Sequence, residues 1–232
     1  MSDKNATTPR VYLYRHGETA WTLSGQQTGT TDLDLTDNGR KQVLASGKLV
    51  VGPGKLIDPE NLAHVFVSPR KRAGQTFELA FGDVRKSLED AGKVSVTEDL
   101  AEWDYGDYEG MVRNEVRESR RSRGLDRERE WDIWRDGCEG GETPQQASDR
   151  LDRLIDEIRR IQKPGMNGQK PCDVALVAHG LILRAFVKRW LKLSIEFPLT
   201  MVLEPGGVGA VSYRGHDIDD PALLVGLGFP VP

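Results

Sequence analysis

Val174-Ala175-Leu176-Val177-Ala178 is an unbroken apolar run, set between Asp173 and the dipeptide His179-Gly180. A strand with one wet face alternates apolar and polar residues. A run without alternation is covered on both faces, which in a soluble chain means the interior of a parallel sheet with helices above and below. The rest of the chain supplies partners for it. Val11 to Tyr14 reads as another buried strand, Val65-Phe66-Val67 as a short one, and Val94 to Thr97 as a third of the same kind. Between these lie helical patterns. Thr36 caps a helix running to about Val51, with Val43, Leu44 and Leu49 among its apolar positions and Gly52-Pro53-Gly54 as its stop. Ser68 reads as an N-cap and Pro69 as the first turn of a helix ending near Phe81. Thr143-Pro144 opens the clearest helix, with Leu151, Leu154, Ile155, Ile158 and Ile161 on one stripe and Pro164-Gly165 at its end. Leu181 to Leu193 forms another, and Gly206 to Tyr213 and Ala222 to Gly226 read as edge strands. Strands alternating with helices imply an α/β fold: three layers, α/β/α, around a mainly parallel central sheet with right-handed crossovers. Without a linker, residues 1–232 are expected to form a single domain, with 1–10 a flexible extension.

Composition excludes several classes of function. With 38% hydrophobic and 29% charged residues the chain can build a sizeable core. A net charge of −4 gives no global field that draws it to nucleic acid or anionic membrane, so any anion is bound locally. The arginines between Arg113 and Glu130 are mixed with acids and read as a solvated helix face. Trp21, Trp131 and Trp134 are read as core or pocket-wall residues. Cys138 and Cys172 are far apart and lack metal spacing, which points to a reducing compartment, cytoplasm or nucleus. No apolar stretch is long enough to span a bilayer. His16, His64, His179 and His216 lack short ligand spacing, so neither metal nor other cofactor is expected. The expected partner is a small phosphorylated molecule, not nucleic acid or membrane. Self-assembly leaves no signature here.

In parallel sheets ligands bind beyond the carboxyl ends of the strands, and three basic elements fall at such ends. They are Arg15-His16-Gly17, Ser68-Pro69-Arg70-Lys71-Arg72 and His179-Gly180. Their convergence supplies two imidazoles and at least two guanidinium groups, a set suited to a phosphoryl group with three peripheral oxygens. One imidazole can attack phosphorus while glycine lets backbone approach the anion. A dephosphorylating site also needs a group that is acid first and base later. Glu102, in the aromatic and glycine-rich segment Leu100 to Gly110, is a candidate by partial desolvation, with Asp104 and Glu109 as equal rivals on these grounds.

The motifs together resemble the histidine phosphatase superfamily, with its phosphoglycerate mutase-like fold. The resemblance rests on Arg15-His16-Gly17-Glu18-Thr19, on Ser68 to Thr76, on Glu102 with Tyr105-Gly106 and Glu109-Gly110, and on Ala178-His179-Gly180. Within that superfamily, Ser24 to Leu33, Glu102 to Met111, Ser122 to Asp126, Trp134 to Glu139 and Gly141-Glu142-Thr143 look most like the eukaryotic sedoheptulose-bisphosphatase group. The resemblance implies a metal-independent phosphatase releasing phosphate from sedoheptulose 1,7-bisphosphate or a related ketose bisphosphate. His16 would form phosphohistidine, Arg15, Arg72 and His179 would hold the transferred group, and Glu102 would be acid and base. Gln27, Thr28, Trp103, Asp104, Tyr105, Gly180 and Arg184 would contact substrate. Two departures affect the far end of the pocket. The connection from Leu193 to Gly206 is shorter than in that group, and Gly215 precedes His216 where the group has paired histidines. Mutase-type transfer is the close alternative, and a phosphate-binding module without activity is the alternative of a different class.

Overall fold

Six strands form one sheet in the order β3-β2-β4-β1-β5-β6, within the part of the chain that the computed structural model describes, residues 7–226. β1 (Val11–Arg15), β2 (Leu62–Val67), β3 (Val94–Val96) and β4 (Asp173–Ala178) are mutually parallel. β5 (Val208–Tyr213) runs antiparallel to β1 and to β6 (Pro221–Leu223). The helices are α1 (Ala20–Ser24), α2 (Asp37–Val50), α3 (Lys71–Asp90), α4 (Arg113–Ser122), α5 (Ile133–Asp136), α6 (Pro144–Gln162) and α7 (Gly180–Trp190).

The apolar run ends up in the middle. β4 lies between β2 and β1, and every residue from Val174 to Ala178 is fully buried. Successive side chains point to opposite faces, so the run feeds two cores. Val174, Leu176 and Ala178 join Leu151, Leu154 and Ile158 of α6 and Ile182 and Phe186 of α7. Ala175 and Val177 join Val43 of α2 and Phe77 and Phe81 of α3. Each large aliphatic side chain buried this way contributes about 1.5–3 kcal/mol relative to exposure. α6 begins as expected, with Thr143 and Gln146 forming a reciprocal capping box and Pro144 in the first turn.

Four expectations are corrected. Leu44 and Leu49 of α2 lie on its outer face, because the helix seats through Gly39, Val43 and Gly47, four residues apart. A Cβ on Gly47 would lie 2.7 Å from the Cα of Ala80, so the absence of a side chain lets α2 and α3 touch. α3 starts at Lys71 with Arg70 as its uncapped N-cap, two residues later than expected. It also continues past Phe81 to Asp90 through a kink at Gly82, whose φ of 35° suits glycine. β5 is an inner strand, since β6 covers it. Finally, Thr8 to Arg10 belong to the fold: Thr8 is buried, Ser212 Oγ donates to Pro9 O at 2.8 Å and Arg10 N–H donates to Asp173 Oδ1 at 2.8 Å. Residues 1–6 of the expected extension lie outside the described residues.

Candidate active site

Strand register brings the three basic elements together. Arg15 pairs with Ala178 across β1 and β4, and Val67 pairs with Val177 across β2 and β4. The ladder continues one step beyond, with His16 N–H on Ala178 O at 2.9 Å and Ser68 N–H on Val177 O at 2.9 Å. Ser68, His179 and His16 therefore emerge side by side at the carboxyl edge of three adjacent parallel strands. The two imidazoles are 5.1 Å apart, ring centre to ring centre, and both are buried.

Hydrogen bonds fix the tautomer of each ring. His16 Nδ1 lies 2.7 Å from Gly17 O, which can only accept, so Nδ1 carries the proton and Nε2 keeps its lone pair. Arg72 Nε donates to His179 Nδ1 at 3.0 Å, so the proton of His179 is on Nε2, where it donates to Ser68 Oγ at 2.6 Å. Burial, reinforced by the nearby Arg72 charge, lowers the His16 pKa to about 3 despite the opposing carbonyl bond. His179 is pushed well below the usual imidazole range, first by burial and then by Arg72 and His16. Both rings are thus neutral at physiological pH, and His16 presents an unprotonated nitrogen amid cations.

Those cations are constrained. The fully buried Arg72 places Nη1 on Thr31 O at 3.0 Å, and Nη2 on Thr28 O at 2.9 Å and Gly29 O at 3.2 Å, which ties the loop after α1 to the site. Arg15 donates through Nη1 to Leu203 O at 2.6 Å, while its Nε is buried without a partner. Burial lowers the pKa of both arginines, with Glu102 the principal charge opposing that effect. Two glycines make room. A Cβ on Gly180 would come within 3.0 Å of Arg15 Cζ. Gly17 lacks a side chain for a packing reason as well: a Cβ there would lie 2.6 Å from Gly39 O of α2.

The three rival carboxylates separate by what they touch. Glu109 accepts from Gly29 and Thr31 N–H, holding the loop that Arg72 also grips. Asp104 accepts from Gly106 N–H and closes a turn. Glu102 is buried, with Oε1 accepting from Trp103 N–H and Ile182 N–H at 2.9 Å and Oε2 from Leu181 N–H at 3.1 Å. It therefore sits on the amino end of α7, immediately beyond His179.

Around this centre, Gln27 Oε1 is a buried acceptor without a partner, as a ligand-facing group would be. Thr28 reaches the site through its carbonyl, its Oγ1 being bonded to Gln26 O. Buried Tyr105 has its pKa raised by burial and then by Glu102. Half-buried Arg184 donates to Gly180 O at 2.8 Å. The Trp103 indole is wholly in the core, edge-on to Trp134, with Nε1 donating to Glu142 O at 3.0 Å. His216 is a loop residue. It lies against Thr8 and Met166 O, near the amino ends of the parallel strands, away from the pocket. Ser68, read as a helix cap, is the site residue that sequence reasoning missed; a Ser-Pro step directly after a strand was its signal, since proline there delays the helix. Most arginines of 113–130 pair with acids, among them Arg120 with Asp126 and Arg117 with Glu130.

Comparison with known proteins agrees with this geometry. Residues 11–219 match the family "Histidine phosphatase superfamily (branch 1)". The chain belongs to the histidine phosphatase superfamily. It is 38% identical to sedoheptulose 1,7-bisphosphatase of Saccharomyces cerevisiae, covering 97% of this chain and 95% of the yeast protein. It is 35% identical to an acid phosphatase of Mycobacterium tuberculosis, over 96% of this chain and 95% of that one. A solved structure from M. tuberculosis, 32% identical, superposes with a TM-score of 0.72 over 94% of this chain and 96% of its own. The yeast alignment spans 257 positions although this chain has 232 residues, so this member of the superfamily lacks residues that the yeast protein has. The mycobacterial alignment needs 223 positions and has no such excess. Among the described residues no helix is long and apolar enough to cross a membrane.

Proposed function

We propose that this histidine phosphatase hydrolyses a sugar bisphosphate through a phosphohistidine on His16, with sedoheptulose 1,7-bisphosphate as the first substrate to test. The observation that carries the reaction is the neutral His16 ring, with Nδ1 pinned by Gly17 O and Nε2 free beside Arg72 and His179. In the first step the Nε2 lone pair forms the N–P bond as the P–O ester bond breaks, and the departing sugar oxygen takes the proton of the Glu102 carboxylic acid. In the second, water attacks phosphorus, Glu102 takes a proton from it, and the N–P bond electrons return to His16. Arg15 and Arg72 meet the charge on the equatorial oxygens, and His179 joins them by exchanging its Nε2–H bond to Ser68 Oγ for one to a phosphoryl oxygen. Gln27, Thr28, Asp104, Tyr105, Gly180 and Arg184 line the approach, Trp103 by its backbone alone.

The yeast relative's name supports the sugar bisphosphate, and Arg184 beside Arg15 supplies a further cation for a second phosphate. A second reading, a phosphatase of wider scope, is favoured by the 35% identity to the mycobacterial acid phosphatase over 96% of this chain. Phosphate release across mono- and bisphosphorylated sugars of four to seven carbons separates the two. The proposal expects the highest kcat/KM for ketose bisphosphates, and equal rates for simple monophosphates would favour the wider reading. Isomer formation from 3-phosphoglycerate would instead indicate mutase-type transfer.

A further inference from the structure

We propose that Arg150 and Glu142 are positioning residues for proton transfer by Glu102, an inference that rests on Glu102 being the acid and base. Glu102 is borne by a segment with little regular structure: a single 3-10 turn, Glu98–Leu100, precedes it and irregular chain follows to Tyr105. Such a segment has no ladder to hold it, so the direction of the carboxylate depends on what grips the neighbouring peptides.

Arg150, on the buried face of α6, supplies that grip. Its Nη1 donates to Asp99 O at 2.9 Å and to Ala101 O at 2.8 Å, fixing the carbonyl that directly precedes Glu102. Its remaining edge is held by Glu142, with Nε to Oε1 at 2.6 Å and Nη2 to Oε2 at 2.8 Å. Glu142 closes the other side through its backbone, donating N–H to Asp104 O at 2.9 Å and accepting Trp103 Nε1–H at 3.0 Å. Two residues thereby hold the segment on both sides of Glu102, at 99, 101, 103 and 104. The bidentate pair is largely withdrawn from solvent, so its geometry is stiff, unlike that of an exposed ion pair. From the opposite side, α7 offers the Leu181 and Ile182 N–H groups to the carboxylate. Misplacing a proton donor by about 1 Å costs on the order of 100-fold in rate. Lysine at 150 keeps the charge but cannot make both carbonyl bonds and the two-pronged contact.

The test is the dependence of kcat/KM on leaving-group acidity, measured with the full-length enzyme on phenyl, 4-nitrophenyl and 2,4-dinitrophenyl phosphates. Arg150→Lys, Glu142→Gln and Glu102→Gln are compared with the unaltered chain. A leaving group that departs without a proton bypasses Glu102, whereas a folding defect lowers all three rates by one factor. The proposal expects Arg150→Lys to lose about 10- to 100-fold on phenyl phosphate and little on 2,4-dinitrophenyl phosphate, reproducing in part the steeper dependence of Glu102→Gln. Glu142→Gln, which keeps the backbone contacts, should fall between Arg150→Lys and the unaltered enzyme. If Glu102→Gln steepens the dependence and Arg150→Lys lowers all rates equally or leaves them unchanged, the positioning role is overturned. If Glu102→Gln itself leaves the dependence flat, the assignment of Glu102 fails and the inference falls with it.

Discussion

His16 and Glu102 meet at one site but are held there by different means. His16 directly follows β1, and its own N–H continues the β1–β4 ladder, so its place is set by backbone register inside a sheet buried on both faces. Glu102 lies in irregular chain, and its place is set by Arg150 of α6, by Glu142 just before that helix and by the amino end of α7. The sheet gives a nucleophile whose position is as robust as the core itself. The clamp gives a proton donor whose position depends on a few polar contacts.

The largest effect should come from the nucleophile. His16→Ala is expected to reduce turnover by about 10⁴-fold or more while circular dichroism and the thermal midpoint stay near those of the parent. Turnover near the parent rate would break the comparison at its root. Next comes Gly180→Ala, which drives a methyl group to within 3.0 Å of Arg15 Cζ. With Arg15 anchored to Leu203 O, a loss of about tenfold in kcat/KM is expected, and an unchanged value would show that Arg15 does not need its present position.

The pH dependence of stability is a smaller, graded effect. In the folded state His16 titrates at about 3 and His179 well below the ordinary imidazole range, against about 6.5 when unfolded. Between those values the unfolded chain binds protons that the folded chain refuses. Stability should thus be full above about pH 6.5 and decline as pH falls toward 3, by up to about 1.4 kcal/mol per pH unit per histidine. Urea midpoints across this window check it, and His16→Gln should decline less steeply than the parent. The smallest expected effect is none: excess EDTA should leave phosphate release unchanged, and a loss restored by a divalent metal would require a different chemistry.

The same contrast explains what could be read in the sequence. The apolar run Val174 to Ala178 and the strand Val11 to Tyr14 define the sheet from local pattern, and the residues just beyond them inherit its geometry. Arg15, His16 and His179 were legible for that reason. Glu102, Asp104 and Glu109 are alike in composition and differ only in the distant N–H groups they accept, Leu181 and Ile182, Gly106, or Gly29 and Thr31. No local pattern carries that information, and only the resemblance chose among them. Ser68 was misread because a serine before proline at a helix start ordinarily caps it, while here β2 runs one residue further and α3 begins at Lys71. At Gly17 the packing of α2 also forbids a side chain, and the docking of that element cannot be seen in a tripeptide. The antiparallel direction of β5 carries the His216 loop to the edge opposite the site.

The central claim is that His16 carries the phosphoryl group between the two steps. Rapid quenching of the enzyme with substrate labelled in the scissile phosphate, followed by peptide mapping, tests it directly. The account predicts an acid-labile, alkali-stable phosphoryl adduct on the peptide containing His16, absent from His16→Ala. Turnover by the parent enzyme with no such adduct, or with the label on another residue, would contradict it.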